Sequence, residues 1–393
     1  MRLGTLSADV IRVHHDPGTI DAAAWDALLA AQPRPTPFMR HAYLGALHAS
    51  GSAVPRTGWT PRFLTLQRDG ELLGAVPAYL KAHSWGEYVF DWAWADAYRR
   101  HRLAYYPKLV AAVPFTPVPG SRLLARDDAA RVTLLRALVD LARQEDASSA
   151  HLLFPDDTES PAIDAAGWMR RSGVQFHWTR DEANPAADFD AFLAKLRHDK
   201  RKKIMQERRR VAAAGVEFAA LEGDAIAAAD WDFFHQCYRL TYAAHGSTPY
   251  LTRGFFAAMA AAMPEHWVMF VARRAGRPIA ASLIAVDAAR GEAYGRYWGC
   301  VEQVDCLHFE ACYYQPLAWC IAQGYRRFEG GAQGEHKMSR GLMPVATRSA
   351  HWLAHPQFAR AVDEFLAAER RGIAEYVDEL REHTPFRAMP GTD

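Results

Sequence analysis

Residues 325–341 read YRRFEGGAQGEHKMSRG, and they gather more reactive side-chain types than any comparable stretch of the chain. A short β-type run stops at Glu329, and a glycine pair follows at Gly330 and Gly331. Gln333, Gly334, Glu335, His336, Lys337, Ser339 and Arg340 then crowd the positions before Pro344. Glycines let a backbone turn sharply and approach a ligand closely. Polar loops held by a rigid strand are where binding and catalytic groups concentrate. Acid, imidazole, ammonium and guanidinium groups together can move protons and hold anions, which a core has no use for. This stretch is read as the chemical centre.

The bulk composition narrows the class around that centre. At 393 residues the chain has material for about two to three domains. Half of it is hydrophobic and 23% is charged, an ordinary soluble balance. A formal net charge of +1 gives no global pull toward nucleic acid or membrane, so any such affinity must be local. The N-terminal residues lack the apolar segment of a signal peptide, and no run of about 18 apolar residues exists to span a membrane. The five cysteines contain no C-x-x-C pair, which argues against zinc and for reduced thiols in a cytoplasmic protein.

The elements that must position the centre come as a repeat. Residues 63–80 (FLTLQRDGELLGAVPAYL) and 269–286 (MFVARRAGRPIAASLIAV) each read as two strands around a tight glycine turn. Arg68 aligns with Arg274, Gly70 with Gly276 and Ala75 with Ala281. A further strand is expected after each hairpin, at 87–95 and at 292–298. A helix follows at 129–144 and 306–323, and a closing strand at 150–154 and 325–329. In 87–95 the side chains of Tyr88, Phe90, Trp92 and Trp94 alternate onto one face, with Asp91 and Asp96 the polar positions of interest. The expected domains are 1–180 and 181–393, divided in the polar linker 179–188. A basic helix at 190–214 opens the second, and an amphipathic helix at 356–382 closes it.

Three antiparallel strands, a helix and a strand that pairs beside the third resemble the core order of the GNAT acyltransferase fold. Two such units in tandem, the second opened by a basic helix, are similar to the FemAB-like branch. The segments HFEACYYQ (308–315), FEGGAQGEHK (328–337) and YVFDWAWADAY (88–98) further resemble a bacterial group associated with peptidoglycan biosynthesis or recognition. The resemblance implies an α/β (α+β) tandem duplication, each half a mixed, mainly antiparallel sheet flanked by helices. It also implies a cleft between two diverging strands, which here end at Tyr297/Trp298 and at Glu329. Glu329 at the cleft mouth could then take a proton from an attacking amine, with Glu335 and His336 as rivals. The alternative is a strand-end acid paired with Arg326, Arg327 or Lys337. Lys337, Arg340 and Arg348 would hold a carboxylate or phosphate, and the amides of Gly330 and Gly331 would face an oxyanion. On the helix, His308 and Glu310 are further substrate-side candidates beside Cys312 and Gln315.

The donor is expected to be an acyl-CoA or an aminoacyl-tRNA, with no tightly bound cofactor and no metal. The segment 299–307 (GCVEQVDCL) departs from a glycine-rich phosphate loop, since Glu302 would repel phosphate and Asp305 is placed to cap the helix. In the first half, 114–130 offers Gly120, Ser121, Arg122 and Arg126 as a weak phosphate cradle. Residues 195–210 carry nine Lys/Arg against two acids in sixteen positions. Lys200, Arg201, Lys202, Lys203 and Arg208 there are candidates for phosphate or tRNA contact, against the plain reading of a solvated face. The leading expectation is acyl or aminoacyl transfer to an amine of a cell-wall precursor, with tRNA a candidate partner, no DNA, and membrane contact at most peripheral. The alternatives are a non-catalytic protein recognising peptidoglycan fragments or nucleotide sugars, and a small-molecule N-acetyltransferase using acetyl-CoA.

Overall fold

The computed structural model describes residues 9–332 and 334–387, so Gln333 lies outside the described residues. The chain forms two compact units, residues 1–173 with 347–373 and residues 174–346 with 374–393. The division expected at 180/181 therefore differs in two respects: 174–180 fall in the second unit and 347–373 go back to the first, so each unit is assembled from two stretches of chain.

In the first unit the expected hairpin forms as Phe63–Arg68 and Glu71–Val76, turning at Asp69 and Gly70, both with positive φ. These strands lie between Val10–His14 and Leu124–Ala125 in one sheet. A second sheet runs Trp59–Pro61, Ala78–Lys81, Lys108–Ala111, Ser149–Leu153, with 349–353 antiparallel to the last. Asp127 caps the helix Asp128–Gln144, whose Leu134, Leu135, Leu138 and Leu141 are buried.

The strand expected at 87–95 is absent. A turn with Tyr88 at positive φ leads into the helix Trp92–Arg100. Alternation of large aromatics suggested a strand, but Trp94 and Tyr98, four apart, are the residues that bury. They pack with Tyr105, Leu353, Val362 and Leu366, and the alanine-rich WAWADAYRR favours a helix. The third strand is Lys108–Ala111 instead. Nor is 114–130 a phosphate cradle: Arg122 is buried and its guanidinium donates to the carbonyls of Leu153 and Val118.

A charged network lies inside this unit. Lys108 is fully buried and donates to Glu87 at 2.7 Å, to Ser84 at 2.8 Å and to Asp91. Tyr105 donates to Asp91 at 2.6 Å. His151 and His351 meet through their Nδ1 atoms at 2.8 Å. Lys81 sits over the Trp59 ring at 3.6 Å.

The second unit follows the expected order closely. Val216–Glu222, Trp267–Arg274, Arg277–Asp287 and Glu292–Cys300 form an antiparallel meander. Arg327–Glu329 adds in parallel to Glu292–Cys300, and 177–179 pair antiparallel with it on its other side. Helix Ala228–Ala244 rests on the meander where Gly299 lies, since a Cβ there would overlap the carbonyl of Cys237.

The basic stretch is two helices rather than one, Phe189–Lys195 and His198–Ala213, broken at Leu196 and Arg197. Leu196 is fully buried and bridges to Phe386, which pulls the chain out of helical register there. The amphipathic helix spans Pro356–Glu382 as expected. Among the described residues no helix is long and apolar enough to cross a membrane.

Lys108 is the sole ammonium bonded to both Glu87 and Asp91 among the described residues. Replacing it with methionine leaves Glu87 with Lys81 at 4.0 Å and Asp91 with the Tyr105 hydroxyl, and neither keeps a close ammonium. Lys108→Met should therefore lower unfolding stability by about 3–5 kcal/mol, measured by urea denaturation. A change under about 1 kcal/mol would show that the network is not holding the first unit together.

Candidate active site

The site of the second unit begins where two strands part. Glu292–Cys300 and Arg327–Glu329 pair through three residues only, ending at Tyr294 opposite Glu329. Beyond that point Glu292–Cys300 runs on with Arg277–Asp287 as partner. A bulge falls at the parting: Tyr297 faces Leu283 and Gly295 faces Ile284, so Arg296 is the extra residue. Bulges re-aim side chains beside sites. Gly295 lets the strands come close at the fork, since a Cβ would lie a tight 3.1 Å from the carbonyl oxygen of Glu329.

The helix over the fork has a built-in irregularity. It runs α over Leu307–Phe309, π over Glu310–Tyr314 and α again over Gln315–Ala322. In the wider π register the carbonyl of Ala311 would accept from the N–H of residue 316, which is a proline and has none. Ser282 supplies the missing donor, its hydroxyl reaching Ala311 O at 2.5 Å. The helix starts after Cys306, at positive φ and without a side-chain cap, so Asp305 does not cap it. Glu302 is held by Arg274 at 2.6 Å.

Around the fork, the Trp298 and His308 rings meet at a 60° tilt with centroids 4.9 Å apart. Tyr297, on the opposite strand face, joins Tyr238 and Phe256 instead. Past Glu329 the amide of Gly330 donates to Phe176 O at 3.1 Å, so it extends the ladder and does not face a ligand. The chain then turns through Gly331 and Gly334, at φ 85° and 118°, into the short helix Glu335–Arg340. That helix buries Lys337 and Arg340 and leaves Glu335 and His336 exposed.

Lys337 Nζ donates to Gly331 O at 3.0 Å. Burial pulls its ammonium down to about 8. His308 is held down to about 4 by burial, by His336 when that ring is protonated, and by the Arg340 and Lys337 cations, so it is neutral at pH 7. Burial also pushes the Cys312 thiol well up, which leaves it a poor nucleophile. Burial and the Arg340 and Lys337 cations lower His336, which lies 3.3 Å from the Tyr313 hydroxyl.

Glu329 is 2% exposed, and one oxygen lies 3.9 Å from His177 Nδ1. The arginines expected to pair with it go elsewhere, Arg326 to Glu182 and Arg327 to Glu292. Arg340 is also committed: it bridges to Glu207 at 3.2 Å and lies over the Phe309 ring at 3.6 Å. Glu335 accepts from Tyr376. Glu310 is buried, held by Gln315 at 2.7 Å and Arg208 at 3.2 Å. Arg208 thus turns inward, while Lys202 and Lys203 are exposed and Lys200 and Arg201 half-buried. Arg348 belongs to the first unit, bound to Asp157.

The structure thus gathers Trp298, His308, Cys312, His336 and Lys337 beside the fork that ends in Glu329. Sequence reasoning passed over His177, Gln175 and Glu207. The first two alternate with Phe176 and Trp178 along one strand, a period-2 pattern that points them together, with His177 Nε2 3.1 Å from Gln175 Oε1. Glu207 is the one acid within the buried stripe Ile204, Glu207, Val211 of the basic helix. Among the described residues no three His, Cys, Asp or Glu side chains are grouped as metal ligands would be.

Two mixed, mainly antiparallel units in tandem, with parting strands under a helix, define a GNAT-type architecture. Residues 17–388 match the FemAB-like family, described as peptidoglycan biosynthesis/recognition, and the chain belongs to that family. Among solved structures, FemX is similar at 11% identity, covering 90% of this chain and 100% of its own, with a TM-score of 0.54. L-PGS from Bacillus licheniformis aligns at 10% identity over 93% of this chain and 99% of its own, with a TM-score of 0.55. A conserved protein of unknown function from Bacteroides thetaiotaomicron covers 88% of this chain and 100% of its own at 12% identity, with a TM-score of 0.52. At these identities the likeness is one of fold. No curated protein sequence matches the chain.

His308 makes the site acid-sensitive. Its folded pKa, about 4, lies below the ordinary histidine value of 6.5. The unfolded chain therefore binds more protons between those pH values, so the contribution of His308 is whole above pH 6.5 and is lost as pH falls toward 4. His308→Gln should flatten the decline of the thermal midpoint over that window relative to the parent protein. An unchanged slope would mean the imidazole is not buried as described.

Proposed function

We propose that the second unit transfers an acyl or aminoacyl group to an amine of a cell-envelope precursor. The observation that carries this reading is the fork itself: a bulged strand parts from a three-residue neighbour that ends in a buried carboxylate. Such a slot can take a planar acyl carbonyl edge-on between two backbones.

In this reading the amine attacks the acyl carbonyl, a C–N bond forms, and the carbonyl oxygen becomes an oxyanion. Glu329 takes the proton from the attacking nitrogen. The ammonium of Lys337 holds the oxyanion, the role first assigned to the glycine amides, one of which is spent on Phe176. Collapse breaks the C–O bond of an aminoacyl ester or the C–S bond of a thioester, and the leaving group is protonated. His336, exposed beside Tyr313, can supply that proton after taking one from solvent, and Glu329 gives the proton it took back to solvent once the product leaves. Trp298 and neutral His308 form an apolar wall that keeps water from the intermediate.

An aminoacyl-tRNA donor is the better fit. Glu302 on the loop before the helix disfavours a pyrophosphate there, whereas Lys202, Lys203, Arg209 and Arg210 are exposed on His198–Ala213. The same Glu302 also favours the second reading, recognition of a peptidoglycan fragment without transfer.

Transfer assays with aminoacyl-tRNA, acetyl-CoA and muropeptide acceptors separate these readings. Glu329→Gln should cut the rate ~100-fold or more, and Lys337→Met ~100-fold. Because the charged form of Lys337 is lost above about pH 8, the rate should fall on that alkaline side, and Lys337→Arg should shift the fall upward. Muropeptide binding with no turnover from any donor would leave recognition standing. Full activity in both variants would remove Glu329 and Lys337 from the chemistry.

A further inference from the structure

A cavity of 530 Å³ in the first unit is lined entirely by polar side chains: Asp157, Ser160, Arg170, Ser172, Arg348 and Arg370. They come from separate, ordered elements. Arg170 and Ser172 are two apart on the strand Met169–Thr179 and so share a face. Arg348 comes from Met343–Leu353 and Arg370 from Pro356–Glu382. Asp157 and Ser160 sit at the turn into Ser160–Ala165.

Three guanidinium groups at one cavity repel one another unless negative charge is supplied, and arginine cannot relieve this by losing its proton. The chain supplies only part of that charge. Asp157 accepts from Arg348 Nε at 3.1 Å, and Asp164 pairs with Arg170. The carboxylates are more solvated than the arginines they meet, 74% and 49% exposed against 36% and 41%, so their neutralising effect is partly screened. The remaining contacts hold the guanidinium groups in place: Arg348 Nη1 donates to Ser172 at 3.3 Å, and Arg370 Nη1 to the carbonyl of Arg170 at 2.8 Å. Of the five N–H groups on each arginine, the bonds formed among the described residues use two on Arg348 and one each on Arg170 and Arg370. Forked donors converging with two hydroxyls match the tetrahedral oxygens of a phosphate, and the volume exceeds that of a single phosphate ion.

We propose that this cavity is an anion site for a phosphate-bearing ligand, separate from the transfer cleft and not dependent on that reading. The shared chemistry is a phosphate or diphosphate group, which a soluble nucleotide or a lipid headgroup could equally bring.

Calorimetric titration of the full chain with inorganic phosphate, inorganic diphosphate and a nucleoside diphosphate tests it, alongside sedimentation with phosphatidylglycerol and phosphatidylcholine vesicles. Saturable binding of one phosphate or diphosphate per chain, weakened by salt, is expected. Arg348→Gln and Arg370→Gln should each weaken it ~10–100-fold. Ser172→Ala, which leaves every charge in place, should weaken it a few-fold and guards against misfolding of the arginine variants. Arg143→Gln, an exposed arginine elsewhere in the same unit, should change nothing. Vesicle binding that Arg348→Gln abolishes would assign the phosphate to a lipid, and binding confined to soluble phosphates would assign it to a free ligand. No saturable binding at low ionic strength, or equal losses in Arg143→Gln and Arg348→Gln, would overturn the proposal.

Discussion

The second unit depends on how briefly one strand pairs. Arg327–Glu329 satisfies its backbone against Glu292–Cys300 for three residues, and the two chains then separate. A longer pairing would close the sheet and leave a continuous core. A shorter one would not fix Glu329 in place. The bulge at Arg296, the glycine at 295 and the turn through Gly331 all serve this early divergence, and the helix above it is irregular at the level of the opening. Backbone polar groups seldom tolerate burial without partners, so a fork inside a protein is a place where a ligand can complete the hydrogen bonding.

Burial also sorts the crowded polar loop into roles. Arg340 looks like an anion holder in the sequence, yet Glu207, Phe309 and the loop's own His336 carbonyl and Ser339 hydroxyl occupy it. It is the strut that anchors the basic helix beneath the loop. Lys337 is the opposite case: its one fixed partner is a carbonyl, which leaves its charge unmatched and its ammonium weakened. Of two cations three residues apart, one is structural and one is chemically available, and only packing distinguishes them.

Much of this was legible in the residues, because periodic patterns report which side faces a core. The second unit's hairpin, helix and closing strand, and the amphipathic helix at 356–382, follow directly from apolar spacing. The failures have particular causes. At 87–95 two periods coexist, and Trp94 with Tyr98 prevails because Tyr105 and Leu353 are there to receive them. At 196 a buried leucine breaks a helix that charge alone made look continuous. The pairing of Arg340 with Glu207 joins residues far apart in sequence and has no local signature. Arg348 was drawn toward the loop by nearness in sequence, although the chain has by then returned to the first unit.

That return has a consequence for how the protein is made. The first unit takes its last strand segment and part of its final helix from 347–373, which leave the ribosome after nearly the whole of the second unit. Its sheet edge at 149–153 and the aromatic core around Trp94 must wait, exposed, while some two hundred residues are synthesised. The first unit to begin emerging is therefore completed late, and a nascent chain stalled anywhere before residue 373 presents an unfinished surface to chaperones and proteases.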